Sequence, residues 1–126
     1  MSVSSERGKA GEERVCAFLK KHGWKIAARN YRIKGGEIDI VAENDKIIAF
    51  IEVKSRKFGS LTSGAEAVDK AKRAAVIKTA DRYLERFPCG DKQVRFDVAE
   101  VTLTTEEIPR VLELEYTADA FDAFMP

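Results

Sequence analysis

The segment GEIDIVAENDKIIAFIEVK, residues 36–54, holds two apolar runs either side of one polar break. The break, Glu43-Asn44-Asp45-Lys46, has the Asn- and Asp-rich make-up of a hairpin turn, so residues 37–42 and 47–54 read as two antiparallel strands. The second strand is apolar on both faces through residues 47–51, which predicts a central place in a sheet. Charges inside such strands need a reason, because a buried, unpaired charge forfeits several kcal/mol of hydration.

Asp39, Glu52 and Lys54 are those charges. Pairing Glu43 with Lys46 across the turn sets Asp39 opposite Phe50 and Glu37 opposite Glu52. Side chains alternate every second residue, so Asp39, Glu52 and Lys54 then share one face, with Asp39 a diagonal neighbour of Glu52 at roughly 7 Å. Two carboxylates so placed can share one Mg²⁺ through oxygen ligands at about 2.1 Å, leaving positions for water and a phosphate oxygen. Lys54 is then placed to orient that water or to stabilise charge developing on phosphorus. The spacing equally admits a plain ion pair with Arg32 or Asp39 that serves only solubility and register.

Outward from this hairpin, residues 24–33 read as a preceding strand, ended by Gly35-Gly36. Residues 5–22 read as a helix, with Val15, Phe18, Leu19 and His22 on one face and Gly23 as its stop. His22 is taken as a helix-end residue favoured by the dipole, not as a catalytic base. Downstream come a polar loop over 55–63 and a long helix over 64–87, with Val76, Ala80, Tyr83, Leu84 and Phe87 inward. Residues 93–103 alternate as a strand whose parity shifts between 98 and 101, which predicts a bulge. Residues 111–116 read as an edge strand, and the acidic tail 117–126 as a short helix with Ala118, Phe121 and Phe124 inward. The order helix, three strands, helix, two strands predicts a mixed α/β sheet flanked by helices.

The 126 residues fit one domain, 1–126, and 44% hydrophobic with 34% charged residues supports a packed core over disorder. No apolar run approaches a membrane span, and residues 1–14 are polar without the apolar stretch of a signal peptide, so a soluble cytoplasmic protein with no membrane partner is expected. Cys16 and Cys89 form no CxxC, which argues against a disulfide scaffold and a zinc knuckle. The net charge of +1 conceals a division: residues 1–96 carry +8 and residues 97–126 carry −7. Residues 54–86 alone carry +5, including a stripe of Lys78, Arg82 and Arg86. Such a stripe supplies salt-sensitive affinity for phosphates, or is an ordinary solvated helix face. The acidic tail is expected to repel phosphates.

An acidic residue on one strand followed by Glu-x-Lys on the next resembles the PD-(D/E)XK nuclease superfamily. More closely, the chain resembles the bacterial YraN family, whose members resemble archaeal Holliday junction resolvases. The matching elements are Gly8-x-x-Gly11-Glu12, Arg29-Asn30-Tyr31-Arg32, residues 36–42, residues 50–56, Lys72, Ala80-x-x-Tyr83-Leu84 and Arg95-Phe96-Asp97-Val98. Together they span residues 8–103 in order.

The resemblance implies a restriction-endonuclease-like mixed sheet and a metal-dependent endonuclease or phosphodiesterase acting on nucleic acid, DNA ahead of RNA. It implies Asp39 and Glu52 as ligands of Mg²⁺ or Mn²⁺, the Val53 carbonyl as a third, and Lys54 as the catalytic lysine. Glu12 matches the first-helix glutamate that completes the acidic cluster in resolvase-like members, although a solvated surface glutamate reads equally from its neighbourhood. Glu37 is assigned to the surroundings of the site or to a pair with Arg32. Arg32, Arg56, Lys72, Lys78, Arg82 and Arg95 are the candidate phosphate contacts. Resolvase-like enzymes work as two-fold dimers, so a homodimer is implied. The rival function is a nucleic-acid-binding or assembly module that keeps the fold without turnover. Cys or Ser hydrolase chemistry is set aside, for the one His lies at a helix end and no nucleophile-elbow pattern is present.

Overall fold

Helix α1 (Val3–Lys21) buries Val15, Cys16 and Leu19, the face its apolar spacing predicts. Its end is set by Gly23, whose φ of 87° lets the Trp24 N–H reach the Leu19 carbonyl and the Gly23 N–H reach that of Lys20. The His22 ring bonds the Phe18 carbonyl at 2.8 Å, as a helix-end residue should. These features come from a computed structural model of the protein, which describes residues 3–59 and 70–123.

Strands β1 (Lys25–Ile33), β2 (Gly36–Glu43) and β3 (Ile47–Lys57) form an antiparallel meander. Helix α2 (Lys70–Arg86) follows, and strands β4 (Gln93–Leu103) and β5 (Val111–Phe121) complete the sheet. The spatial order is β1-β2-β3-β4-β5, with β3 and β4 parallel and every other pair antiparallel. This is a restriction-endonuclease-like mixed α/β sheet. One face packs on α1 through Ile40, Ala42, Ala49, Ile51, Ala99 and Val101. The other packs on α2, where Val76, Ala80 and Tyr83 meet Ile38, Val41, Ile48 and Phe50. Trp24 and Tyr31 lie against these two cores, as their strand positions predict. Among the described residues no helix is long and apolar enough to cross a membrane.

Several sequence expectations are corrected. The β2–β3 ladder pairs Glu43 with Ile48 and Ile40 with Ile51, two residues away from the predicted register. The Asn44 side chain causes this by accepting the Lys46 and Ile47 N–H groups, which draws both into the turn. Strand β3 runs to Lys57 rather than yielding to a loop at 55. The predicted loop and helix residues at 60–69 lie outside the described residues.

Strand β4 carries no bulge against β3, since the parallel register is continuous from Ile47↔Gln93 to Lys57↔Leu103. Its parity shift reflects burial on both faces: Phe96 and Val98 face α2, whereas Ala99, Val101 and Leu103 face α1. The irregularity lies in its other partner. Between Val98↔Thr117 and Phe96↔Phe121 the neighbouring strand β5 carries extra residues, with Asp119 at a φ of 54°. Residues 117–121 are therefore strand and not helix, because they complete the backbone bonding of β4 and stack Phe121 on Phe96 with centroids 5.2 Å apart. Phe124 lies outside the described residues.

Candidate functional site

The site is built where β2 parts from β3. Their ladder ends at Ile40↔Ile51, and one residue further the Asp39 carboxylate itself accepts the Val53 N–H, Oδ2 to N at 2.8 Å. Continuing the register places Asp39 level with Glu52, one step closer than the predicted diagonal. The two-residue slip preserves side-chain parity, so the two carboxylates still meet.

Glu52 is only 3% exposed. Its Oε1 lies 2.9 Å from Lys72 Nζ and 3.7 Å from Lys54 Nζ. Burial alone would lower the Lys72 pKa, yet its bond to Glu52 and the charge of Asp39 carry it above the ordinary lysine value. Asp39 is in the opposite position. Burial, and then the negative charge of Glu52, raise its pKa to about 7, against the opposing pull of the Val53 N–H. Glu12 and Glu37 add smaller pushes in the same direction. A carboxyl held this far up marks a buried position beside a second carboxylate.

Two close approaches bring the helices to this place. A Cβ on Gly36 would collide with Thr79 Oγ1 and come within 2.9 Å of the Ala75 carbonyl oxygen, so glycine lets α2 lie directly on β2. That contact sets Lys72, one turn before Ala75, over Glu52. A Cβ on Gly11 would collide with Ser55 Oγ, so α1 similarly lies close on β3 and presents Glu12. Glu12 Oε1 accepts from Asn30 Nδ2 at 3.1 Å and lies 3.6 Å from Arg29 Nη2.

The predicted cations are divided by the structure. Arg32, Glu37 and Lys72 line one groove between the β1–β2 hairpin and α2, with Arg32 and Glu37 paired at 3.3 Å. Lys78 and Arg82 are exposed on α2 and line a second groove with Asp81 and Glu85. Arg56 is turned the other way, bonded to Glu100 at 2.7 Å in a cleft shared with Glu113 and Glu115. Arg95 is committed to Asp97 through two bonds of 2.9 and 3.0 Å and lies over the Trp24 ring. Both arginines are engaged in ion pairs within the protein.

Asp39 and Glu52 offer carboxylate oxygens, beside the Val53 backbone, of the hard donor type that Mg²⁺ or Mn²⁺ takes. Among the described residues no group of three or more His, Cys, Asp or Glu is gathered tightly enough to hold a metal ion. Glu12 is near enough for its charge to raise the Asp39 pKa. Two contributors were not singled out from sequence: Asn30, and the contact of Lys72 with Glu52 in place of solvent. An Asn inside a strand otherwise rich in strand formers was the available signal for the first. The second joins elements too far apart in the chain to be read from spacing.

Comparison with known proteins places this geometry in a lineage. The chain is 36% identical over 118 residues to a UPF0102 protein of Dictyoglomus thermophilum, covering 94% of this chain and 98% of the relative. It is 36% identical over 120 residues to one of Myxococcus xanthus, covering 95% and 92%. A Clostridium perfringens UPF0102 protein is 40% identical over 111 residues, covering 88% and 89%. The model of the uncharacterised protein family UPF0102 matches residues 11–101, a span that holds Glu12, Asp39, Glu52, Lys54 and Lys72 together. With most of its length and all of its candidate site inside that match, the chain belongs to the UPF0102 family.

Proposed function

We propose that this protein is a metal-dependent endonuclease acting on nucleic acid, DNA in preference to RNA. The carrying observation is that Asp39 and Glu52 lie level just beyond the last β2–β3 pair, Ile40↔Ile51, where burial and then the charge of Glu52 raise Asp39 to about 7. Asp39, Glu52 and the Val53 carbonyl would hold Mg²⁺ or Mn²⁺, which when bound supplies an activated water and neutralises a phosphate oxygen. Lys54 stands 3.7 Å from Glu52 and stabilises the charge that grows on the phosphoryl oxygens as the water–phosphorus bond forms and the ester bond breaks. Lys72 and Arg32 line the adjoining groove and offer positive charge to the flanking phosphates. A homodimer would let two such sites act on a branched substrate.

The test is Mn²⁺-supported cleavage of branched, duplex and single-stranded DNA and RNA, run beside Lys54→Ala. Cleavage that disappears with Lys54 supports the reading, and cleavage that survives in Lys54→Ala, Asp39→Ala and Glu52→Ala refutes it. One observation favours a second reading, a nucleic-acid-binding module without turnover. Glu52 already receives two ammonium groups, so its own charge is balanced without a metal. Salt-dependent binding that persists in all three variants, with no cleavage of any substrate, would establish that reading.

A further inference from the structure

Strand β1 contains a residue whose backbone does not belong in a strand. Asn30 has a φ of 51°, in the left-handed region, yet it lies between the ladder pairs Arg29↔Ile40 and Tyr31↔Ile38. That register sets it directly across from Asp39. The side-chain pattern changes at this level in both strands. Ala28 and Tyr31, three residues apart, both pack against the α2 core, apart from the register shift that lies earlier, between Ile26 and Ala28. In β2, Ile38 and Val41 face α2, but Ile40 and Ala42 face α1. Regular alternation would put residues 38 and 40 on the same face. The β1–β2 pair therefore turns over as a unit at Asn30 and Asp39, where β2 also stops pairing with β3. Asn is one of the few residues with a side chain that tolerates this conformation.

The Asn30 side chain faces the same place. Its Nδ2 donates to Glu12 Oε1, joining α1 to the turn in the strand. Such a bond holds the Glu12 charge beside Asp39.

We propose that Asn30 is a positioning residue for the carboxylate site: its left-handed backbone turns the β1–β2 pair so that Asp39 meets Val53 and Glu52, and its amide fixes Glu12 beside them. The assignment deepens the metal-site reading and rests on it for its effect on metal affinity. Its effect on backbone geometry stands apart from that reading.

The experiment compares Asn30→Gly with Asn30→Ala in the full-length protein. Both lack the amide, but only glycine takes the left-handed conformation freely. Amide hydrogen exchange at Val53, whose N–H bonds Asp39, reads the geometry without metal. Exchange at Val53 is expected to rise about five-fold or more in Asn30→Ala and to stay within about two-fold of wild type in Asn30→Gly. Equal exchange in the two variants overturns the backbone role. Calorimetric Mn²⁺ titration reads the amide. Asn30→Gly is expected to weaken Mn²⁺ binding about three-fold in the native background and not at all in Glu12→Gln, because the amide acts through Glu12. An equal loss in both backgrounds, or no loss in either, overturns that part. A wild-type protein that binds no Mn²⁺ removes the metal reading, while the Val53 comparison still decides the backbone role of Asn30.

Discussion

Asp97 on β4 and Asp39 on β2 are carboxylates of one sheet, and they are treated in opposite ways. Asp97 is fully buried at 0% exposure and accepts four bonds: two from Arg95, one from the Tyr116 hydroxyl at 2.5 Å and one from the Asp119 N–H at 2.9 Å. Its charge is answered by a guanidinium that itself lies over Trp24. Burial and this bond raise the Tyr116 pKa, so its hydroxyl remains a donor. Asp39 accepts one backbone N–H and confronts the negative charge of Glu52. A complete set of partners marks Asp97 as a structural group. Asp39, with one hydrogen bond and a second carboxylate beside it, is the less completely satisfied of the two.

The largest effect expected from this contrast is on stability. Asp97→Ala should cost about 3–5 kcal/mol by leaving the half-buried Arg95 without its anion and the Tyr116 hydroxyl and Asp119 N–H without their acceptor. Urea unfolding checks this, and Mn²⁺ affinity should be unchanged wherever the variant is folded. Lys54→Ala should lower the cleavage rate by about 10²–10³-fold while duplex affinity stays within a few-fold, as single-turnover assays and binding isotherms would show. Asp39→Asn should invert the behaviour of Asp97. It should abolish the Mn²⁺-induced rise in Tm, yet at pH 8 without metal it should stabilise the protein by about 1–2 kcal/mol, since it removes a charge the fold does not compensate.

The pH profile sharpens the same point. Asp39 binds its proton more tightly folded than unfolded, so its stabilising contribution is present below about pH 4 and is lost as pH rises through about 7. Metal-free wild type should therefore lose stability across that window, and Asp39→Asn should lose that part of the slope in thermal scans. The smallest effect concerns the acidic edge. Glu113→Gln with Glu115→Gln, both on the exposed part of β5, should tighten duplex binding about two-fold at low salt and leave it unchanged at high salt. Deleting residues 117–126 is a poor substitute, for it would remove Phe121 from the α2-side core.

The element order was legible because turn chemistry and alternation are local signals. The Glu43-Asn44-Asp45-Lys46 break, the two-sided apolar run of β3 and the Gly23 stop each carry their own physical cause. The register was not legible to the residue, because the Asn44 side chain competes with the backbone for the turn. Parity survived the slip, so Asp39 and Glu52 still fall beside one another although the predicted pairing of Asp39 with Phe50 does not form. At 117–121 the local pattern lost to the needs of β4, whose outer edge takes β5 as its partner. Arg95 shows the limit for cations: the sequence offers it as a phosphate contact, and only the structure shows its ion pair with the buried Asp97.

The parallel pairing of β3 with β4 has a consequence for the order of folding. It joins Ile47 to Gln93, residues far apart along the chain, whereas β1, β2 and β3 contact one another through short turns. Closing the long loop costs chain entropy that a meander does not, so β1–β3 is expected to be structured in the folding transition state before β4 docks. Asp39 and Glu52 both lie within that early unit, and α2, which carries Lys72, packs on its β2 strand. The two carboxylates are thus expected to be brought together through short turns alone, before the long loop closes.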